Sequence, residues 1–191
     1  ANKPRRFRIE AYGGGPLIVG GFRLPVVIDL RGLQAAKHVP ILLNHEEETD
    51  STLGQADEIL NDGRSLSLEG GVTGVSRRVL DVLAAADKGH RWEASVGCEV
   101  HESRDIPAGQ FVLVNGQQQK GPFTLATRST LHETSVLPKG ADGNTSVNLA
   151  AAAASMKGNS MDFSTWLTAM GVDEGKLTAT GKAAMMQSFS A

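Results

Sequence analysis

The chain has 191 residues, enough for one ordinary domain and an appended segment. Nineteen Lys and Arg against twenty-one Asp and Glu leave a net charge of −2, so charge alone marks neither a nucleic-acid partner nor a membrane surface. The single cysteine, Cys98, excludes an internal disulfide and a cysteine-based zinc site, and fits a reducing compartment.

The basic cluster Lys3, Arg5, Arg6 and Arg8 reads as a solvated terminus. No apolar run approaches the ~18 residues that span a bilayer, and residues 1–15 lack the apolar stretch of a signal peptide. A cytosolic protein, or one carried into something assembled in the cytosol, is the expectation. Residues 5–147 carry mostly strand and turn signals. RFRIEAY alternates with the period of a strand, and LIVGGFRLPVV is broken by Gly20, Gly21 and Pro25 into bends. VPILLN at 39–44 reads as a short buried strand. LGQADEIL at 53–60 and the stretch 61–72 form a predicted hairpin about Asn61-Asp62-Gly63.

One helix interrupts the strands. Val75, Val79, Val82, Leu83 and Ala86 share a predicted helix face, and Gly89 supplies the stop. The helix leads into RWEASVGCEV, where Trp92, Ala94, Val96, Cys98 and Val100 alternate with Glu93, Ser95, Gly97 and Glu99. That places Cys98 on the apolar face as a core residue and Ser95 on the polar face. Further strands follow around an Asn115-Gly116 turn, and Pro138 ends the last. Residues 140–160 are small, polar and alanine-rich and read as a linker, with the domain ending at 147 and the linker proper at 148–160. Phe163, Trp166, Leu167 and Met170 mark a short amphipathic helix over 161–171, and 177–191 reads as another. Helices this short are not stable alone in water.

Among the five histidines, His45 stands out in LLNHEEE. A helical zinc motif fails, because position 49 is Thr49 and the flanking run reads as a strand end; no metal and no cofactor is expected. A histidine just past a buried strand is placed to act as a general base near neutral pH. Serine is a poor nucleophile unless such a base takes its proton, and the base needs a third group on its other ring nitrogen. Ser95 is the serine in question. His132 and Glu133 compete for the third position, and strand alternation puts them on opposite faces, so only one can point at His45. Gly97, two residues past Ser95, is read as opening room for a substrate backbone.

Three blocks together resemble the tailed-phage prohead (capsid maturation) serine protease family. They are Asn44-His45 with Gly54, then Ser95-Val96-Gly97, then Leu131, Glu133, Ser135 and Pro138. The resemblance covers 5–147; it departs after the last strand, where Pro138-Lys139-Gly140 stands in place of Pro-Ala-Asn. It implies a mainly β, α+β fold: a small closed β-barrel of the herpesvirus assembly-protease type, with a helical C-terminal extension at 161–191 that starts a scaffold-like region. It implies a serine endopeptidase with His45 as general base, Ser95 as nucleophile and Glu133 as orienting group. His132 stays as rival, since the herpesvirus relatives use a second histidine there. Oxyanion donors are expected near Arg128 and Ser129, by analogy with the arginine-bearing loop of those relatives. The implied partners are phage major capsid protein and scaffold as substrates, with a homodimer or higher assembly left open. The implied location is the host bacterial cytoplasm inside the immature capsid. Self-cleavage in the alanine-rich 149–155 is a further expectation. Two readings compete: a catalytically silent assembly or scaffolding protein with a protease-like barrel, and a β-barrel binding module in which Ser95 is an ordinary surface residue.

Overall fold

A computed structural model describes residues 5–150. The chain divides into two units, Ala1–Ser155 and Met156–Ala191, and the second lies outside the described residues. The expected helices at 161–171 and 177–191, and the linker and cleavage stretch beyond 150, lie there too.

The described part is mainly β with one short helix. The strands are β1 (Arg6–Tyr12), β2 (Val26–Ile28), β3 (Leu33–Ala35), β4 (Pro40–Leu43), β5 (Thr52–Asn61) and β6 (Leu66–Val72). After helix α1 (Arg77–Asp87) come β7 (Glu93–Ile106), β8 (Phe111–Val114), β9 (Gln117–Lys120), β10 (Phe123–Leu137) and β11 (Ser146–Ala150). β11 pairs antiparallel with β1, so the stretch that reads as linker begins with a paired strand. Alanine-rich composition concealed it, because Val147 and Leu149 are the only large apolar side chains there, and they face Ile9 and Phe7.

The main sheet has nine strands, running β11-β1-β6-β5-β4-β10-β2, with β3 and β7 also pairing with β10. β10 organises it: β2, β3 and β4 lie parallel along its length, and β7 runs antiparallel to it from Leu137 back to Phe123. The expected closed barrel is not formed by continuous ladders. The chain around Trp92 and β11 meet only at an isolated bridge, Trp92 with Val147. The main core gathers Phe7 and Ile9 of β1, Ile41 and Leu43 of β4, Leu53, Leu68, Leu131 and Val136. These alternate with outward residues as half-buried strands require. A second cluster, Val27, Ile106, Phe123 and Leu125, packs under the β8–β9 hairpin.

Helix α1 begins where Ser76, in an extended conformation, accepts the Val79 amide with its hydroxyl. Gly89, at φ +89°, ends it as predicted. Val79 is fully buried, with Val82, Leu83 and Ala86 packed against the same core. Val75 is a correction. It precedes the Ser76 cap and is 85% exposed, because the helix starts at Arg77, two residues later than the apolar spacing implied.

Candidate functional site

β10 carries the site. Its register against β7 slips at three places, and the slip nearest the site is at His132: Leu131 faces Cys98, Glu133 faces Gly97, and His132 between them faces nothing. Such a bulge puts two residues of one strand opposite one of the other and reverses the inward-outward alternation beyond it. Leu131 and Cys98 therefore lie on the core side, while Glu133 and Ser135 share the other face with Gly97 and Ser95. Without the extra residue, Glu133 would follow Leu131 into the apolar core.

His45 arrives from β4. Leu43 pairs with Val136, and Asn44 and His45 then both adopt left-handed backbone, φ 56° and 59°. For non-glycine residues this conformation costs about 1–2 kcal/mol each. The turn is held by Asn44 N–H donating to the Val136 carbonyl (3.2 Å) and Glu46 N–H to the Leu43 carbonyl (3.1 Å). His45 N–H donates to Ser135 Oγ at 3.0 Å. The imidazole turns back over β10, and its Nδ1 lies 2.7 Å from Glu133 Oε1. The second carboxylate oxygen is occupied as well: Ser135 Oγ donates to Glu133 Oε2 at 2.8 Å. Ser135 is fully buried and Glu133 nearly so.

This arrangement assigns the tautomer from the hydrogen bond. Nδ1 carries the proton and gives it to the carboxylate, so Nε2 holds the free lone pair that a general base needs. The Glu133 hydrogen bond raises the His45 pKa above its ordinary value; partial burial opposes it, and the negative charge of Glu133 adds to it.

Ser95 lies on β7 directly across from Ser135, after the fully buried Ala94. Ser95 and His45 line one open cleft of about 490 Å³, together with Leu17–Gly20 and Lys139–Ala141. Gly140 presses on β7 beside Ser95: a Cβ there would sit 2.3 Å from the Ala94 carbonyl oxygen. Gly140 N–H donates to Glu93 Oε2 (2.7 Å), and Ala94 N–H donates to Thr145 Oγ1 (3.0 Å). The far end of this loop is fixed by Asp142, which accepts the Gly13 and Asn144 amides. The departure Pro138-Lys139-Gly140 thus forms a tethered wall of the cleft.

The structure joins His45 to Glu133 by a hydrogen bond and has Ser95 line the same cleft as His45. His132, the rival, points away: it is exposed, and its Nε2 pairs with Glu99 Oε2 at 3.3 Å on the outer face. Arg128 and Ser129 are not at the cleft, and the oxyanion expectation placed on them is corrected. Ser129 pairs with Val100, five residues along β7 from Ser95, which is ~16 Å at the rise of a strand. Arg128 instead pairs with Glu102. Gly97 is corrected in role. A Cβ there would sit 2.1 Å from Glu133 Oε1 and 2.8 Å from its Cγ and Cδ, so the glycine makes room for the Glu133 side chain rather than for a substrate.

Cys98 sits on the core side as read from its strand, and burial, with the nearby Glu133 charge, pushes its thiol up to about 12. It is a poor thiolate source. Among the described residues, no group of three His, Cys, Asp or Glu side chains is arranged to hold a metal ion. No described helix is long and apolar enough to cross a membrane. Sequence reading passed over three contributors. Ser135 is one, named only within the third block and given no role, although its spacing of two from Glu133 puts both on one strand face. The wall 17–20 is another, read only as bends. The third is Arg78 of α1, which pairs with Glu46 next to His45 and donates to Ser51 Oγ at 2.6 Å, tying the histidine loop to the helix.

No protein-family model matches the sequence, and no curated protein matches it.

Proposed function

We propose that this chain is a serine endopeptidase that processes phage capsid and scaffold proteins, and itself, during prohead maturation. The observation that carries the reading is the Glu133–His45 hydrogen bond at the mouth of the cleft that Ser95 lines. It leaves His45 Nε2 free to accept a proton in the cleft whose lining Ser95 shares, which supports the reading. The resemblance of the three blocks, Asn44-His45, Ser95-Val96-Gly97 and Leu131 to Pro138, supports the same class and supplies the substrates. On this reading the sheet is a barrel of the herpesvirus assembly-protease type, and the Trp92–Val147 bridge is where it closes.

In the proposed reaction Ser95 Oγ attacks the scissile carbonyl carbon as its proton passes to His45 Nε2. The imidazolium, steadied by Glu133, then protonates the leaving amine. Water attacks the acyl-enzyme by the same route in reverse roles and releases the acid. The oxyanion needs preorganised N–H donors. The tethered loop Lys139–Ala141 is the candidate, since it lines the cleft and packs on the backbone next to Ser95.

The test is intact mass over time for the full chain, wild type and Ser95→Ala, each co-expressed with a phage major capsid protein. Trimming of either protein by the wild type but not by Ser95→Ala is the expected result. Both chains staying whole while shells assemble refutes the protease reading and leaves a scaffolding or binding role.

A further inference from the structure

We infer that Ser135 is a positioning residue of the site, whose one hydroxyl locks Glu133 and the backbone of His45 into a single unit. The inference rests on the protease reading of this cleft and deepens it.

Ser135 Oγ does two things at once. It donates to Glu133 Oε2 at 2.8 Å and accepts the His45 N–H at 3.0 Å. A hydroxyl has one proton to give and lone pairs to receive, so both bonds are compatible with one rotamer. Both oxygens of Glu133 are then committed, Oε1 to the imidazole and Oε2 to the hydroxyl. A carboxylate held at one oxygen can swing about its last torsion, whereas one held at both cannot without losing a charged hydrogen bond. The His45 amide is the second beneficiary. It belongs to the second of two left-handed residues, a backbone that persists only where surroundings over-determine it. Ser135 therefore aligns the carboxylate with the ring and supports the strained turn that aims the ring. Among the described residues no other side chain hydrogen-bonds both partners. Because Ser135 is fully buried and its hydroxyl is committed to Glu133 and the His45 amide, it acts through those two groups and not on a substrate.

The experiment reads the His45 titration by NMR in a Ser95→Ala background, and kcat/KM on a cleaved peptide in the active background. Ser135→Ala is expected to move the His45 pKa down toward its ordinary value and to broaden the Nδ1–H resonance. It should lower kcat/KM by about 10- to 100-fold, the range of a lost charged hydrogen bond, with KM little changed. Ser135→Thr, which keeps the hydroxyl, should restore the His45 titration. If Ser135→Ala does not fold, Ser135→Cys, close in size and a weak donor, takes its place with the same expected shift. An unchanged His45 titration together with kcat/KM within twofold of wild type overturns the inference. The NMR readout does not depend on proteolysis. A shifted titration in a protein whose processing survives Ser95→Ala would sink the protease reading and leave the positioning role standing.

Discussion

Gly97→Ala gives the sharpest test of how the site is packed. The added methyl would lie 2.1 Å from Glu133 Oε1 and 2.8 Å from Cγ and Cδ. Ordinary carbon–oxygen contact begins near 3.4 Å, so the carboxyl must retreat by more than an ångström. It cannot do so freely, because Oε1 holds His45 at 2.7 Å and Oε2 holds Ser135 at 2.8 Å. A retreat of ~1 Å breaks the His45 bond, and a misplacement of that size can cost ~100-fold in rate. Overpacking of this kind destabilises by about 1–3 kcal/mol, so the variant should still fold. The expected result is a folded protein with lowered Tm, processing down by ~100-fold, and a His45 pKa moved down toward its ordinary value, read by NMR. Had Gly97 served the substrate instead, Gly97→Ala would raise KM and leave the His45 titration where it was. That pattern refutes the argument.

Two other outcomes follow from the same geometry. Since His45 must be neutral to accept a proton and its pKa is raised by Glu133, kcat/KM should rise with pH through an inflection above the ordinary histidine value; Glu133→Gln should move that inflection down and lower the plateau. His132→Ala should leave kcat/KM within about twofold of wild type, because His132 pairs with Glu99 on the outer face; a loss as large as that of Glu133→Gln would restore it as the third member.

The strands were legible where alternation was long and regular. β1, β4, β5, β6 and the start of β7 lie where the pattern put them. So does the helix, apart from Val75. The choice between His132 and Glu133 could be framed from sequence but not decided, because the deciding feature is a bulge. Simple alternation counted from Leu131 sends Glu133 to the core side; only the register against β7 shows the reversal at His132. Gly97 was misread for a related reason. Its neighbour on the next strand is set by that same register, and no local pattern announces that a glutamate fills the space above it. The oxyanion expectation failed because it borrowed a loop by analogy. Arg128 stands inside the long strand β10 and not in a loop, and its neighbours are fixed by β7. β11 was hidden because its two large apolar residues, Val147 and Leu149, stand among small and polar ones in an alanine-rich stretch.

Every member of the site is fixed to β10 or to a neighbour of it. Glu133 and Ser135 lie on β10, Ser95 is on the antiparallel partner β7, and His45 follows the parallel partner β4. A central strand paired on both sides has little freedom, so the distances within the set are governed by sheet geometry rather than by loops. The cleft walls at 17–20 and 139–141 belong to connections, where variation is tolerated, so on the protease reading substrate choice can be adjusted there without moving the set. The raised pKa adds a last consequence. A histidine whose folded pKa lies above its unfolded value contributes stability that is complete below the unfolded pKa and is lost as pH rises through the folded one. On the protease reading, activity from the neutral base runs the other way, increasing through that folded pKa. On that reading the Glu133–His45 pair therefore stabilises the fold most where the base is least available; above that pKa the neutral imidazole keeps its Nδ1–H bond to Glu133, and the Ser135 hydroxyl and the β10 ladders hold the carboxylate in line.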